Sequence, residues 1–237
     1  MPRLTISLDQ VAALRQARRS SEPDPVSAAF IAQMAGADGI AVHLYSDRRH
    51  TQERDLEILR HTVTVPLHLV TAATMEATRV AASTKPDTVT LVPERREEVT
   101  TEGGIDVLLS AAIIDRTLGS LRESGFEVTL LVEPELDQIR AAAKASASSI
   151  MINARHFSEA EGEAAAEREL TRLQEAVRGA SRLRLKVIVG LGLGYSTAAE
   201  VAKIPDVHEI RVGHAVISRA CLVGLDRAVR ELKSLVG

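Results

Sequence analysis

The chain has 237 residues, of which 45% are apolar and only 2% aromatic, and its net charge is −3. This length suffices for a well-buried core, and we predict a single domain over residues 1–237. Few aromatic residues and no basic stripe argue against nucleic acid or a membrane as partner. One cysteine, no apolar run of membrane-spanning length and no signal-peptide pattern before Leu4 predict a cytoplasmic protein.

Strand-like and helix-like patterns alternate along the chain. The predicted strands are 4–8, 39–44, 66–71, 87–92, 126–132, 149–153, 184–189 and 209–212. The predicted helices are 10–18, 26–35, 53–61, 74–82, 107–124, 135–145, 159–177, 197–203 and 215–235. Two helices follow the first strand, which makes the second of them an extra helix, and one helix follows each later strand.

Eight strands that each precede a helix are typical of a (β/α)8 TIM barrel. The strands are short runs rich in β-branched residues, as buried parallel strands are. A doubly wound open sheet has the same local pattern, so periodicity alone leaves both folds open. We predict the barrel, with one extra helix after strand one.

The loops after the last two strands contain a glycine cluster, 190–194 (GLGLG), and the pair Gly213-His214. Glycines let backbone N–H groups approach a ligand, and a helix that begins near His214 directs its positive dipole end at an anion. In TIM barrels these two loops are the usual phosphate site. We therefore expect Gly192, Gly213 and His214 to bind a phosphate, although glycines that only allow tight turns are the alternative.

Histidines stand at or near the ends of two earlier strands. His43 ends the second strand, where an imidazole can act as acid or base near neutral pH, and His50 follows in the loop. His68 and Val70 share one face of the third strand because they are two residues apart. His68 is thus a second candidate base, with a structural role as the alternative. The loop 94–104, polar with a Gly-Gly pair, is a candidate lid.

Four segments of the chain resemble the pyridoxine 5′-phosphate synthase family: 23–40 (PDPVSAAFIAQMAGADGI), 37–50 (ADGIAVHLYSDRRH), 91–104 (LVPERREEVTTEGG) and 213–220 (GHAVISRA). The likeness runs over about 4–235. It implies a TIM barrel with added helices, a homo-oligomer that is commonly an octamer, and no metal or organic cofactor. The implied reaction condenses 1-deoxy-D-xylulose 5-phosphate with 3-amino-2-oxopropyl phosphate through a Schiff base, with loss of water and phosphate.

The resemblance assigns roles to residues that this chain retains. His43 matches a general base, Arg18 matches a phosphate ligand, and Asp9 is the residue kept from the family's first-strand motif at a substrate-binding position. His50 and Thr100 match residues that hold the sugar phosphate, and by resemblance Gly192, Gly213 and His214 cradle the amino-ketone phosphate. Other positions depart from the family pattern. Val70 stands in place of the family's catalytic glutamate and Leu191 in place of its acidic histidine. Further departures are Ser7, Gln10, Tyr45, Met151 and Asn153.

Because phosphate recognition is largely kept and the proton-transfer groups are mostly absent, three functions are open. We favour a diverged family enzyme that binds a phosphorylated small molecule and performs an altered condensation, isomerisation or dehydration, with His43, assisted by His68, as acid and base. Such an enzyme would make little or no pyridoxine 5′-phosphate. The second hypothesis is a genuine synthase whose missing roles fall to His68, Tyr45 or water. The third is a non-catalytic protein that binds a B6-type phosphate.

Overall fold

A computed structural model of the chain describes residues 1–95, 98 and 100–237. Its eight parallel strands close into one barrel in the order β1-β2-β3-β4-β5-β6-β7-β8, with β8 paired to β1. The TIM-barrel prediction is therefore confirmed. The strands are β1 Arg3–Ser7, β2 Gly39–His43, β3 Leu67–Ala72, β4 Thr88–Val92, β5 Glu127–Val132, β6 Ser149–Asn153, β7 Lys186–Gly190 and β8 Val207–Val212.

Helices surround the barrel, and two of them follow β1 as predicted. The helices are α1 Asp9–Arg18, α2 Pro25–Met34, α3 Glu53–Thr62, α4 Met75–Thr84, α5 Ala111–Glu123, α6 Leu136–Lys144, α7 Arg155–Ser158, α8 Glu163–Arg182, α9 Tyr195–Val201, α10 His214–Val223 and α11 Leu225–Val236. The start of α2 has a local cause, since the Asp24 side chain accepts the Val26 N–H and Pro25 is the first helical residue. None of the helices in the described part of the chain is long and apolar enough to cross a membrane.

Three predicted helices differ most from the structure. The last helix, predicted as continuous over 215–235, is two helices, because Gly224 has a φ of 85° and a ψ of 152°. Such a conformation is outside the helical region and is open to glycine. The sixth crossover likewise contains two helices, α7 and α8, and α5 begins at Ala111 rather than at residue 107. The extra helix after β1 is thus not the only addition to the eight-fold pattern.

Apolar residues are divided between two layers. The larger cluster fills the space between the strands and the helices. The smaller cluster lies inside the barrel, and its buried members come from six strands: Ala41, Val70, Val92, Leu131, Met151 and Ile188. Inward-facing side chains of a TIM barrel pack as a core rather than leaving a pore. The inner cluster therefore forms the floor on which any ligand at the barrel mouth rests.

A buried ion pair joins α1 to α3. The guanidinium of Arg15 donates to both carboxylate oxygens of Asp55, at 2.7 and 2.6 Å, and both residues are at most 5% exposed. Arg15 also donates to the His50 carbonyl at 3.4 Å. This pair therefore holds the loop between β2 and α3 as well as the two helices.

Loss of either member of this pair leaves the other as an uncompensated buried charge. We expect Asp55→Asn to lower the free energy of unfolding by about 3–5 kcal/mol. The pair of Arg230 and Asp226, which is exposed on α11, provides the control, because Arg230→Gln there should give no measurable change. Urea unfolding followed by circular dichroism measures both. An Asp55→Asn midpoint equal to that of the wild type would show that the pair adds nothing.

Candidate functional site

A cavity of about 330 Å³ opens at the carboxyl ends of the barrel strands. Six of the residues predicted from sequence line it: Asp9, His43, Thr100, Gly192, Gly213 and His214. They come from the segments after β1, β2, β4, β7 and β8. Parallel strands bring these distant segments together, because all their carboxyl ends meet at one rim.

Three other predicted site residues lie outside the cavity lining. Arg18 is exposed at the last turn of α1. His50 is buried behind the cavity, with its ring edge-on to the Tyr45 ring at 5.3 Å between centroids. His68 was predicted to line or rim the same mouth as His43, yet it is buried deeper in the barrel. The structure thus brings six of the predicted residues together at the cavity and places Arg18, His50 and His68 outside its lining.

His68 is part of a polar network inside the barrel. Its Nδ1 is 2.6 Å from the Thr88 hydroxyl, and its Nε2 is 3.9 Å from a Glu209 carboxylate oxygen. Burial, together with the nearby charge of Arg211, lowers the pKa of His68 to about 4. The imidazole is therefore neutral at physiological pH and is held below the cavity by the side chains around it.

Asp9 and His43 form the ionisable centre of the cavity. The backbone N–H of His43 donates to Asp9 Oδ1 at 2.5 Å. Burial raises the pKa of Asp9 to about 6, although the His43 N–H and the charge of Arg211 both act to lower it. Burial lowers the pKa of His43 to about 3, with smaller contributions from His50 and Arg49. The Asp9 carboxyl thus titrates close to neutral pH, whereas the His43 imidazole is uncharged at that pH.

Tyr45 holds the imidazole of His43 in place. The two rings are stacked with centroids 3.6 Å apart, and the Arg49 guanidinium lies 4.7 Å from the centre of the Tyr45 ring on which it packs. His43 Nε2 is buried and neither accepts nor donates a hydrogen bond within residues 1–95, 98 and 100–237. A fixed neutral imidazole beside a cavity is suited to take or give a proton.

The glycine loop after β7 has a strained, close-fitting backbone. Leu191 and Gly192 have φ angles of 69° and 78°, in the left-handed region that a leucine rarely adopts. A Cβ on Gly192 would lie 2.8 Å from the Cα of Arg155. On the other side of the cavity Gly213 caps α10, whose first N–H groups have no intrahelical acceptor. The rim therefore presents backbone donors and one arginine.

The wall between these polar groups is apolar. Val70, Met151 and Leu191 line the cavity together with Val92 and Leu131. Val70 and Leu191 occupy the positions that the resemblance assigns to a glutamate and a histidine, and neither side chain can transfer a proton. The structure thus places these two departures from the family pattern at the cavity itself.

The loop predicted as a lid, 94–104, contributes part of the cavity lining; Arg96, Glu97 and Val99 of that loop lie outside the described residues. Thr100, Thr101 and Glu102 line the cavity. Glu94 accepts from the backbone and hydroxyl of Ser46 at 2.9 to 3.1 Å. Hydrogen bonds therefore connect this loop to the loop after β2, which contains the charged residues 47–50 (DRRH).

Two arginines at the cavity, together with Glu159, were missed in the sequence. Arg155 begins α7 after β6, and Arg211 is on β8, two residues before Gly213. The sequence did contain an indication for Arg211, since Glu209 and Arg211 are two residues apart on a predicted strand with an apolar residue between them. Charged residues two apart share one face. In a closed barrel that face points inward, so the pair indicated an interior ion pair.

Substitution of Gly192 tests the glycine loop as an anion site. We expect Gly192→Ala to weaken binding of inorganic phosphate at least about ten-fold, because its Cβ would displace the Arg155 backbone. Gly162→Ala is the matched control, since Gly162 has a φ of 87° and a Cβ there would meet nothing within 4 Å. Isothermal titration calorimetry measures both. Equal affinities for the two variants would place the anion elsewhere.

The raised pKa of Asp9 should make the free energy of unfolding fall as the pH rises. Because its folded pKa of about 6 exceeds the unfolded value of 3.8, folding is favoured at low pH, and this contribution is lost as the pH rises through 6. Asp9→Asn keeps an acceptor for the His43 N–H and removes the ionisation. We expect the stability of the variant relative to the wild type to rise by about 2 kcal/mol between pH 4 and pH 7.

Urea unfolding at the two pH values measures this difference. Asp226→Asn is the control with the opposite sign, because Arg230 lowers the pKa of Asp226 and the substitution cannot stabilise the protein at pH 7. A stability difference between Asp9→Asn and the wild type that is the same at both pH values would contradict the assignment.

Comparison with known proteins adds to this geometry. The family model described as "Pyridoxal phosphate biosynthesis protein PdxJ" matches residues 4–237. The chain is similar to proteins named pyridoxine 5′-phosphate synthase. It is 49% identical to one from a Synechococcus strain, covering 99% of this chain and 98% of the relative. It is 48% identical to one from Trichlorobacter lovleyi, covering 100% and 99%.

Solved structures with low identity agree on the fold. KGPDC from Streptococcus mutans superposes with a TM-score of 0.66 at 15% identity, covering 100% of this chain and 97% of the other. Thiamine phosphate pyrophosphorylase from Pyrococcus furiosus gives 0.65 at 18% identity, with coverages of 99% and 95%. These likenesses concern the barrel alone. The family match and the near-half identity over the whole length lead to one conclusion: the chain belongs to the PdxJ family of pyridoxal phosphate biosynthesis proteins.

Proposed function

We propose that this protein is a pyridoxine 5′-phosphate synthase, which condenses 1-deoxy-D-xylulose 5-phosphate with 3-amino-2-oxopropyl phosphate in vitamin B6 biosynthesis. The observation that carries the proposal is the 49% identity, over 99% of the chain, to a protein of that name. This is the second of the three hypotheses drawn from the sequence. The comparisons do not support the altered chemistry that we favoured there.

The rim of the cavity supplies phosphate recognition in this proposal. Both substrates carry a phosphate, and the backbone donors of Gly192 and of the first turn of α10 stand at the rim with Arg155 and His214. Helix N-termini bind anions through free N–H groups and the helix dipole. Thr100 and its neighbours in the loop 94–104 cover the ligand and exclude water.

Asp9 and His43 supply proton transfer. Formation of the Schiff base requires a proton to leave the amine nitrogen and another to reach the departing oxygen. A carboxyl with a pKa of about 6 exchanges protons readily near neutral pH, and the neutral imidazole of His43 is a second acceptor that lines the cavity. These two groups therefore carry the acid–base work in a cavity where Val70 and Leu191 contribute none.

A homo-oligomer in the cytoplasm completes the proposal. Three large apolar side chains of α2 are exposed, Phe30, Ile31 and Met34, and they face a shallow groove with Val223 and Leu225. Exposed apolar patches of this kind are typical of subunit interfaces. The octamer is the assembly that the family resemblance implies.

A second candidate function rests on one specific observation, the apolar wall of Val70, Met151 and Leu191. An enzyme of this family without acidic or basic groups at these positions is also suited to a simpler carbonyl reaction on a phosphorylated ligand. The two functions share the phosphate site and differ in the product, so one assay separates them.

The assay is pyridoxine 5′-phosphate formation by purified protein under single-turnover conditions with both substrates saturating. We expect product from the wild type. Val70→Glu combined with Leu191→His should raise the rate by about 10- to 100-fold, because each added acid or base typically contributes about 10²–10⁴ and neighbouring departures limit the gain. Val70→Gln combined with Leu191→Asn is the control for shape and polarity without proton transfer, and should give no increase.

Absence of product from the wild type would overturn the synthase proposal. A thermal-shift screen of phosphorylated ketones on the same preparation then separates the remaining hypotheses. Conversion of a ligand that stabilises the protein would indicate altered chemistry, and stabilisation without conversion would indicate a binding protein.

A further inference from the structure

The ring of Tyr45 lies between the His43 imidazole and a guanidinium. Tyr45 follows the last residue of β2 by two positions, and both aromatic side chains are at most 4% exposed. The two rings are stacked with 3.6 Å between centroids and 22° between planes. Because the imidazole occupies one face, the Arg49 guanidinium, 4.7 Å from the ring centre, covers the other. The Tyr45 ring is therefore confined on both faces.

The backbone of Tyr45 is fixed as well. Its carbonyl oxygen accepts from the backbone N–H of Arg48 and from Arg48 Nη1, each at 3.0 Å. The same guanidinium donates from Nη2 to one carboxylate in α3 and one in α4, at 2.6 Å each. Asp47 holds Arg49 in turn, since the Arg49 Nε donates to both of its carboxylate oxygens at 3.0 Å. The loop after β2 thus holds the ring that contacts His43.

Two contacts connect these residues to the loop predicted as a lid. The Ser46 N–H, next to Tyr45, donates to the Glu94 carboxylate at 3.0 Å. The Nη1 of Arg49 donates to the backbone carbonyl of Glu98. One contact thus acts on the backbone beside Tyr45 and the other on the cation that covers its ring. A change in the position of the lid loop is therefore transmitted to Tyr45.

The stack matters because an imidazole that transfers protons must be aimed. The χ2 torsion of histidine is broad and lacks three sharp staggered minima, so the side chain by itself does not fix the plane of the ring. A parallel ring at 3.6 Å restricts that rotation. A base must lie within hydrogen-bond reach of the proton that it takes, and a misplacement of about 1 Å can cost about 10² in rate. A residue that fixes the imidazole therefore affects the rate through it.

We propose that Tyr45 is a positioning residue for the reaction: its ring holds the plane of the His43 imidazole for proton transfer, and the lid loop holds Tyr45 through Arg49. This inference rests on the proposed function for the reaction and for the role of His43 in it. Tyr45 is one of the departures from the family pattern, so that pattern does not supply the contact. The aromatic ring carries this role, and the phenol hydroxyl does not.

Three variants separate the ring from the hydroxyl and from packing. Tyr45→Phe keeps the ring and should retain most of kcat. Tyr45→Leu removes the stack, and its kcat should fall by about 10- to 100-fold with a smaller change in KM. Tyr195→Leu is the matched control for loss of a tyrosine, because the Tyr195 hydroxyl donates to the Ala228 carbonyl in α11. This control should lower the free energy of unfolding and leave kcat unchanged.

A double-mutant cycle tests whether Tyr45 acts through His43. Steady-state formation of pyridoxine 5′-phosphate is measured for Tyr45→Leu in the wild type and in His43→Gln. If the ring only positions the imidazole, Tyr45→Leu should cause no further fall in kcat once His43 is replaced. A role in packing would lower kcat by the same factor in both backgrounds.

A second measurement needs no turnover. In protein with isotope-labelled histidine, the His43 resonances are those that disappear in His43→Gln. The face of a neighbouring aromatic ring shifts protons upfield, so we expect the ring protons of His43 to be shifted upfield in the wild type and in Tyr45→Phe. In Tyr45→Leu they should move downfield and broaden as the imidazole gains freedom to rotate.

The inference is overturned by equal kcat values for Tyr45→Leu and Tyr45→Phe, by the same fall in both His43 backgrounds, or by unshifted His43 resonances in the wild type. If Tyr45→Leu does not fold, Tyr45→Met carries the same expectations. Absence of product from the wild type contradicts the synthase proposal, and the resonances then decide: a change in Tyr45→Leu alone supports the hold on the imidazole, and no change overturns it. Product formation that Tyr45→Leu leaves unaffected supports the synthase and overturns this inference.

Discussion

Closure of eight parallel strands into one barrel is the constraint on which the cavity depends. Since the strands run in one direction, their carboxyl ends form a single rim, where Asp9, His43 and Gly192 meet although they are far apart in the chain. The same closure removes water from the interior, so polar groups there need protein partners. Arg211 meets that need by reaching from β8 to β4, and Glu209 balances its charge.

Asp9 and His43 lie in the cavity beside its apolar wall, and burial there decides their protonation. Burial is the largest influence on both Asp9 and His43, and it acts in opposite directions on the two pKa values because it disfavours the charged form of each. The pKa of the Asp9 carboxyl is brought close to neutral pH, and the His43 imidazole is kept uncharged. Substitution of Val70 by a carboxylate would add a negative charge to this cavity and change that balance, so the wall and the ionisable pair act together.

Residues at strand ends could be assigned to the cavity from the sequence, and residues elsewhere could not. His43 and Gly192 end or directly follow a strand, so the parallel pattern alone puts them at the rim. His68 shares the inward face of β3 with Val70, but its depth in the barrel depends on how neighbouring strands are staggered, which the pattern does not contain. His50 and Arg18 are in a loop and at a helix end, where packing and assembly decide what they reach.

The sequence by itself determined the alternation of strands and helices, the glycine loops and the apolar residues Val70 and Leu191, because hydrophobic periodicity and position relative to a strand end are local properties. Periodicity left a closed barrel and an open sheet both possible, and the tertiary structure shows the closed barrel. Only the tertiary structure decided that Arg211 reaches Thr90 across the barrel, that Tyr45 stacks on His43, and that Gly224 divides the last helix. These contacts join residues up to 121 positions apart. The bond from Arg211 to Thr90 arises when the barrel closes, since the distance between two side chains across it depends on strand tilt and stagger rather than on either segment alone.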